Sequence, residues 1–458
     1  MEDRNEILVE TSNKAIQMAL KEGMDSAFIN AKLKDVFSTR FANSAIHQNF
    51  TDYETRIEIS LRQGRKCALV TINSLKERKM SFAVKSGAEL VKALPEDPDS
   101  PGPLKEPQDY IKLQLNDPAI ASLEPSNVAD KVISGIHEAH DLSSKVKSVS
   151  GNLNLKNGID YHISSEGHEI LTPTTRITST INVMSDDGHG ESRSNSSFGE
   201  REFSKLPFKK EATQVAERAL LGLNSQNVET GAFNVVLDHQ AAASQMLQFG
   251  LMISGRFVLD NQSFLKDRIG EQVFSKSMTF VNDPHNANFL SAKALDAEGV
   301  ATRKSTLVKN GILRDFAYDR LTANQMGTKS NACGIVLGNY GLTPFPDALS
   351  LGPGTRTRQQ LIEDIDKGLL VTNLHYTNFI DYSRGTQTGM TKDGLFIIEN
   401  GEIIGSAKNL RFTDSMPRMF NVVELSSEVS QVISYFDFAL VAPAMKVDSM
   451  NFSSKTSH

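Results

Sequence analysis

Histidine and cysteine side chains are the first candidates for chemistry in this sequence. It contains ten histidines and two cysteines, Cys67 and Cys333, and no His-Glu-x-x-His pair. Two cysteines so far apart exclude a disulfide framework and a Cys-rich zinc module, and they fit a reducing compartment such as the cytoplasm. Cys333 could act as a nucleophile only with a histidine base beside it, so a small buried side chain is the simpler interpretation.

Two pairs of residues could bind a metal or take part in catalysis. His137 and His140 lie three positions apart in a predicted helix and therefore share a face, although the sequence shows no third ligand nearby. Asp238 and His239 stand where a predicted strand turns into a helix. The structural alternatives are a solvated helix end for the first pair and, for the second, a helix N-cap by Asp238 with His239 partly exposed.

A polar and aromatic segment follows an apolar strand in the second half of the chain. His375, Tyr376 and Asn378 could line a peptide groove or a subunit interface, or form a buried, hydrogen-bonded pair at a strand end. The next segment is rich in Gly and Thr and contains Arg384 and Thr388. It could cradle an anion, cover a groove as a loop, or be a plain hairpin loop. These five residues are the candidate substrate-binding or interface residues.

Two carboxylates, Asp296 and Glu298, are two positions apart. On a strand they would point the same way, and they could then share a proton or a metal. The adjacent Gly299 favours a structural turn instead.

Composition narrows the class of protein. The chain has 458 residues with a net charge of −6, 39% hydrophobic and 23% charged residues, which is typical of a soluble globular protein. The slightly negative net charge does not indicate binding to nucleic acid. We find no apolar stretch of about 18 residues, so we expect no membrane span. The acidic N-terminal residues do not resemble a secretory signal, and we expect a cytoplasmic protein.

The hydrophobic pattern predicts an α+β fold. Helices are predicted over residues 5–22, 81–94, 125–146, 210–223, 240–253 and 357–369. Strands are predicted at 27–32, 36–41, 55–61 and 67–72, at 172–183, and at 233–237. The N-terminal half thus combines helices with antiparallel strands, and the C-terminal half is β-rich with a few helices.

A proline-rich segment divides the first half of the chain. Five of the 15 prolines lie in residues 95–107, which predicts an extended linker. We therefore expect an N-terminal α+β segment at 1–94 and a central α+β segment at 108–229, packed together as one half. Residues 230–458 form the β-rich C-terminal domain.

Four long stretches of the second half, at 235–271, 280–327, 349–374 and 394–413, resemble the TldD/PmbA (TldE) family. The resemblance extends more loosely from about residue 10 to residue 455. It implies a zinc metallopeptidase built from two related subunits that processes or degrades unfolded peptides. TldD-type members carry His-Glu-x-x-x-His on the first helix of the C-terminal half, and a cysteine near the C-terminus. TldE-type members lack these ligands.

This sequence departs from the zinc-binding pattern. Aligned without gaps, it places Leu247, Gln248 and Met252 at the positions of His, Glu and His, and its C-terminal stretch has no cysteine. Aliphatic and neutral amide side chains neither ligate zinc well nor accept a proton. We therefore expect no catalytic or metal-binding residue and no cofactor in this chain, with zinc held by a TldD-type partner.

The leading hypothesis is a TldE/PmbA-like subunit of a heteromeric metallopeptidase that helps to hold extended or unfolded peptide, with no nucleic-acid or membrane partner. Two alternatives stay open. One is a non-catalytic homodimer that binds peptides or regulates another protein. The other is an independent hydrolase with a non-standard site near His375.

Overall fold

The structure is a computed structural model that describes residues 2–337, 341–434 and 437–456. Helices of very different length are distributed along both halves, together with short 3-10 turns at Pro118–Ser122 and Phe203–Lys205. The helices are α1 (Glu2–Lys21), α2 (Glu77–Ala93), α3 (Pro125–Asp141), α4 (Phe208–Leu221), α5 (His239–Met252), α6 (Gly255–Leu259), α7 (Arg320–Gln325), α8 (Arg358–Glu363) and α9 (Met416–Phe420).

Long antiparallel strands form the framework of the first half. They are β1 (Ser26–Ala42), β2 (Ala45–Gln63), β3 (Lys66–Ile72), β4 (Val146–Ser164), β5 (Glu169–Asp186) and β6 (Glu191–Glu200). Their order across the sheet is β3–β2–β1–β4–β5–β6. The strands on either side of the proline-rich segment therefore pair directly, because β1 lies against β4.

The two faces of this sheet differ in polarity because side chains alternate along a strand. In β1, Ile29, Ala31 and Leu33 are buried in the core beneath α1 and α2. The intervening Asn30 and Lys32 belong to the opposite face. Helices α3 and α4 cover a second cluster on the far part of the sheet. One face is thus an apolar core, and the other faces the second half of the chain.

The second half is a set of shorter strands. They are β7 (Gly231–Leu237), β8 (Phe280–Asn282), β9 (Ser305–Lys309), β10 (Ile312–Leu313), β11 (Gly334–Val336), β12 (Leu342–Pro344), β13 (Leu349–Leu351), β14 (Lys367–Val371), β15 (Leu374–Asp381), β16 (Thr386–Thr391), β17 (Leu395–Glu399), β18 (Glu402–Ser406), β19 (Leu410–Ser415), β20 (Val423–Ile433) and β21 (Ala439–Lys455). Strand β7 lies between β14, to which it is parallel, and β21. Helix α5 follows β7 directly.

The core of the second half is rich in aromatic side chains. Phe249 of α5 stacks on Phe280 with ring centroids 4.1 Å apart, and Phe274 and Phe420 pack edge-to-face beside them. These four rings are fully buried. The side of α5 that carries Phe249 is therefore packed in the core of the second half.

The predicted α+β class, with a β-rich second half, is confirmed. The predicted helix at 357–369 is wrong in its second part, because α8 ends at Glu363 and Lys367–Val371 form β14. The apolar run of β14 is buried between β7 and β17, where it gains backbone pairing on both edges. The strands predicted at 27–32 and 36–41 are one continuous strand, β1.

The two halves are joined by strand pairing and by the proline-rich segment. Phe198 of β6 pairs with Val432 of β20. Residues of the segment accept hydrogen bonds from α7, where Arg320 donates to the carbonyl oxygens of Gly102 and Pro103. No helix among the described residues is long and apolar enough to cross a membrane.

Candidate functional site

Helix α5 begins at a capped and strongly bonded position. The Asp238 carboxylate accepts a hydrogen bond from the His239 backbone N–H at 2.9 Å, so the predicted N-cap is confirmed. Arg358 of α8 also binds this carboxylate through two hydrogen bonds, of 3.0 and 2.8 Å. Burial would raise the pKa of Asp238, but the adjacent Arg358 charge and the hydrogen bond from His239 hold it well below its usual range.

The three positions predicted to replace the zinc motif are integrated into the core and the neighbouring hairpin. Met252 is fully buried, and Leu247 packs against the same hydrophobic cluster. Gln248 donates a hydrogen bond from Nε2 to the Thr377 carbonyl oxygen of β15 at 3.0 Å. Each side chain therefore has a packing or hydrogen-bonding role.

These side chains do not fit a zinc ion. A catalytic zinc site needs three imidazole, thiolate or carboxylate ligands, whereas this face of α5 offers an aliphatic chain, an amide and a thioether. Among the described residues, His, Cys, Asp and Glu side chains do not gather in any group of three that could hold a metal.

A cavity of about 530 Å³ lies at the start of α5, between α4 and β6 on one side and α8 and β20 on the other. His239 lines it, with Nδ1 2.9 Å from an Asp238 oxygen. Its Nε2 is buried and has no hydrogen-bond partner among the described atoms. Asp238 therefore fixes the orientation of the His239 ring beside this cavity.

The five candidate residues predicted from the sequence lie on one hairpin, formed by β15 and β16 and their connecting turn. Tyr376 is 70% exposed and has a left-handed backbone conformation with φ of 49°. His375 contacts its ring, with centroids 4.2 Å apart, and burial followed by the nearby Lys392 lowers the pKa of His375. Asn378 is exposed and donates to the Tyr376 carbonyl oxygen.

The segment that follows is a turn and a paired strand. Arg384 lies in the turn, where its exposed side chain is 3.7 Å from Asp381. Thr388 lies in β16 opposite Asn378 and donates to the Phe412 carbonyl oxygen at 2.9 Å. Of the alternatives that the sequence left open for this segment, a hairpin agrees best with these contacts.

Two amide contacts that the sequence analysis missed fix the hairpin on α5. Gln387 donates from Nε2 to the Gln245 side-chain oxygen at 2.5 Å, and both side chains are fully buried. Together with the bond from Gln248 to Thr377, this contact anchors both strands of the hairpin on the helix. A polar residue in an apolar helix is the only signal that could have revealed Gln245.

Asp296 and Glu298 are both buried. Oδ1 of Asp296 accepts hydrogen bonds from the backbone N–H groups of Glu298 and Val300, and Gly299 adopts a turn with φ of 84°. Burial raises the pKa of Asp296 to about 6, and burial together with the Asp296 charge raises the pKa of Glu298 to about 8. The two residues therefore lie in the turn that the adjacent Gly299 favoured, and not on a strand.

Two further candidates from the sequence, His140 and Cys333, have contacts typical of structural residues. His140 makes a hydrogen bond of 2.6 Å with Ser44 at the end of α3. Cys333 is buried beside Asn282, and burial raises the pKa of its thiol well above the ordinary range. A thiol in this environment is a poor nucleophile.

Comparison with known proteins links the second half of the chain to one family. A family model described as the PmbA/TldA metallopeptidase C-terminal domain matches residues 230–454. A metalloprotease of Methanocaldococcus jannaschii is 27% identical over 308 residues, which cover 64% of this chain and 65% of that protein. The metalloprotease PmbA of Escherichia coli O157:H7 is 24% identical over 51% of this chain and 49% of its own length. The chain thus spans less than two thirds of these relatives.

The fold is shared over nearly the whole chain with a solved structure. TldE from Thermococcus kodakarensis superposes with a TM-score of 0.87 at 19% identity, covering 97% of this chain and 100% of that one. The similarity therefore includes the first half, which the family model does not match.

Proposed function

We propose that this chain, whose second half matches the TldD/PmbA family, is a TldE/PmbA-like subunit without a zinc site of its own. It would pair with a TldD-like metallopeptidase subunit, which supplies zinc, and would help to hold extended or unfolded peptide for cleavage. Both cysteines are free thiols, which supports the cytoplasm as its location.

The observation that carries this proposal is the chemistry of α5. Where the family resemblance leads us to expect ligands and a general base, Met252 is buried in the core and Gln248 is bonded to the backbone of β15. Supplying zinc ligands here would require several core substitutions. In this proposal, any contribution of this chain to catalysis acts through its partner.

The β15–β16 hairpin is the surface we assign to partner pairing. Tyr376, Ile380 and Tyr382 are 70%, 60% and 38% exposed on it. Exposed aromatic and apolar side chains of this kind are enriched in protein–protein interfaces. The anchoring of the hairpin on α5 by Gln248 and Gln387 would connect pairing directly to the helix that carries zinc in TldD-type members.

The test is to purify the full chain alone and after co-expression with a TldD-like subunit that carries His-Glu-x-x-x-His. Metal content and chelator-sensitive cleavage of an unfolded peptide are measured in both preparations. We expect zinc and activity only in the complex. Stoichiometric zinc together with chelator-sensitive cleavage in the chain alone would refute the proposal.

The same preparations separate the alternatives. A stable homodimer that binds peptide and never associates with the TldD-like subunit would favour the non-catalytic peptide-binding protein. Zinc-independent cleavage by the chain alone would favour an independent hydrolase. Parallel His375→Ala and His239→Ala variants would then show which histidine such an activity needs.

A further inference from the structure

A second cavity, of about 660 Å³, separates the polar face of the first sheet from the second half of the chain. Strands β1, β2 and β4 form its floor, and Lys293 and Asp347 lie on the opposite wall. We call this cavity the inter-half cleft. Its floor is polar because it is built from the face of β1 that alternates with the apolar core. The cleft is distinct from the cavity at His239.

Charges on the cleft are almost completely paired. Lys34 contacts Asp160 at 2.6 Å, Lys156 contacts Glu54 at 2.8 Å, and Lys293 contacts Asp347 at 2.7 Å. Arg56 and Arg176 pair with Glu58 and Asp437, and Arg201 donates to four backbone carbonyl oxygens. Lys32 is different, because no ion pair joins it to any described residue. Within the described part of the chain, Lys32 is thus the cation of the floor that makes no ion pair.

Two deeply buried side chains on the floor present atoms without partners. Asn30 and His162 are each 8% exposed, and they are directly opposite each other on β1 and β4. Asn30 donates from Nδ2 to Glu58, but its Oδ1 has no hydrogen-bond partner among the described atoms, and neither has Nδ1 of His162. Burying a carbonyl oxygen or an imidazole nitrogen without a hydrogen-bond partner is unfavourable, so such atoms indicate a place for a ligand.

The protonation state of His162 makes it a hydrogen-bonding group without charge. Burial lowers the pKa of His162 to about 4, and the neighbouring Lys32, Lys34 and Lys293 charges lower it further against the opposing effect of Asp160. At neutral pH the ring is neutral and can accept one hydrogen bond. Asn30 Oδ1 is also an acceptor. The floor thus combines the ammonium group of Lys32 with acceptors for N–H groups.

We propose that the inter-half cleft binds the carboxyl end of a peptide, with the terminal carboxylate on Lys32 and main-chain N–H groups on Asn30 Oδ1 and His162. Asn30 and Lys32 are on the same face of β1, about 7 Å apart along the strand. A lysine side chain spans that distance, so one terminal residue can contact both.

The neighbouring carboxylates favour this ligand over other anions. Glu58 and Asp160 lie on the same floor, so a doubly charged phosphate would be repelled more strongly than a single carboxylate. The choice of a peptide as the bearer of the carboxylate rests on the proposed function. The site for a carboxylate is argued from the side chains of the cleft alone.

The test uses the full chain alone and measures fluorescence anisotropy with an N-terminally labelled penta-alanine. One probe has a free carboxyl end, and the other is its C-terminal amide. We expect the free acid to bind at least tenfold more tightly than the amide. We expect Lys32→Met, which keeps the aliphatic stem, to remove this difference, whereas the amide is affected little.

Two further variants separate the site from general effects. Lys85→Met removes an exposed charge on α2, which packs against the opposite face of the sheet, and should change neither affinity. His162→Phe keeps a ring beside Phe28 and should weaken both probes. Equal binding of acid and amide, or an unchanged preference in Lys32→Met, would overturn the proposal. Neither result depends on a TldD-like partner. A failure of this proposal can therefore be distinguished from a failure of the proposed function.

Discussion

Arg358 and Asp238 form a two-point ion pair across 120 positions of the chain. Both oxygens of the carboxylate are engaged, and Asp238 also caps α5. The Asp238 side chain is only 9% exposed. One carboxylate thus joins α5, the helix of Gln248 and Met252, to α8 and fixes where the helix begins.

Replacing Arg358 by Ala should destabilise the protein strongly. Removal of one partner leaves the Asp238 charge buried, and breaking a pair of this kind typically costs about 3–5 kcal/mol. The free energy of unfolding from urea titration at pH 7 is the measurement. Arg256→Ala is the matched control, because its pair with Asp260 is 50% and 40% exposed and should contribute at most about 1 kcal/mol.

The effect of Arg358→Ala should depend on pH. The pKa of Asp238 is lower in the folded state than in the unfolded chain, so its contribution is present above about pH 4 and is lost as the pH falls further. The stability difference between wild type and variant should therefore shrink on acidification. A difference that stays constant down to pH 2 would contradict this assignment.

Glu298→Gln should make the stability of the protein less sensitive to a rise in pH. Because the folded pKa of Glu298 is raised to about 8, ionisation costs stability as the pH rises from about 5 to 9. Asp296, Asp319, Arg320 and Arg62 face this group, and Arg62 is 3.9 Å away. We expect the free energy of unfolding of wild type to fall over this range and that of the variant to fall less. Glu89→Gln, on the exposed face of α2, should follow wild type.

Gly158→Ala should disrupt the floor of the inter-half cleft. A Cβ at this position would lie 1.9 Å from the Leu33 carbonyl oxygen on the adjacent strand. The backbone of β1 or β4 would have to move, and we expect a loss of about 3 kcal/mol. Gly190→Ala is the control, because its Cβ would meet nothing within 4 Å. Equal melting temperatures for both variants would show that the strands tolerate the displacement.

Local patterns were enough to predict the elements that carry the site, but not their partners. The apolar run before Asp238 and the periodic residues after it predicted β7, the N-cap and α5. The sequence held no sign that Arg358 would bind Asp238, because such a contact depends on how distant segments pack. The sequence predicts Asn30 and Lys32 as part of a short strand at 27–32. Only the pairing of β1 with β4 places His162 beside Asn30, so that polar side chains of both strands line the same cleft.

The β15–β16 hairpin gives the most direct test of partner pairing. In a Tyr376→Asn, Ile380→Thr double variant, Asn tolerates the left-handed backbone and Thr suits a strand, so folding should be preserved. We expect the affinity for a co-purified TldD-like subunit to fall at least tenfold, with an unchanged melting temperature. Phe82→Ser is the control, because Phe82 is 72% exposed on α2, away from the hairpin. If the double variant binds the partner as wild type does, pairing uses another surface.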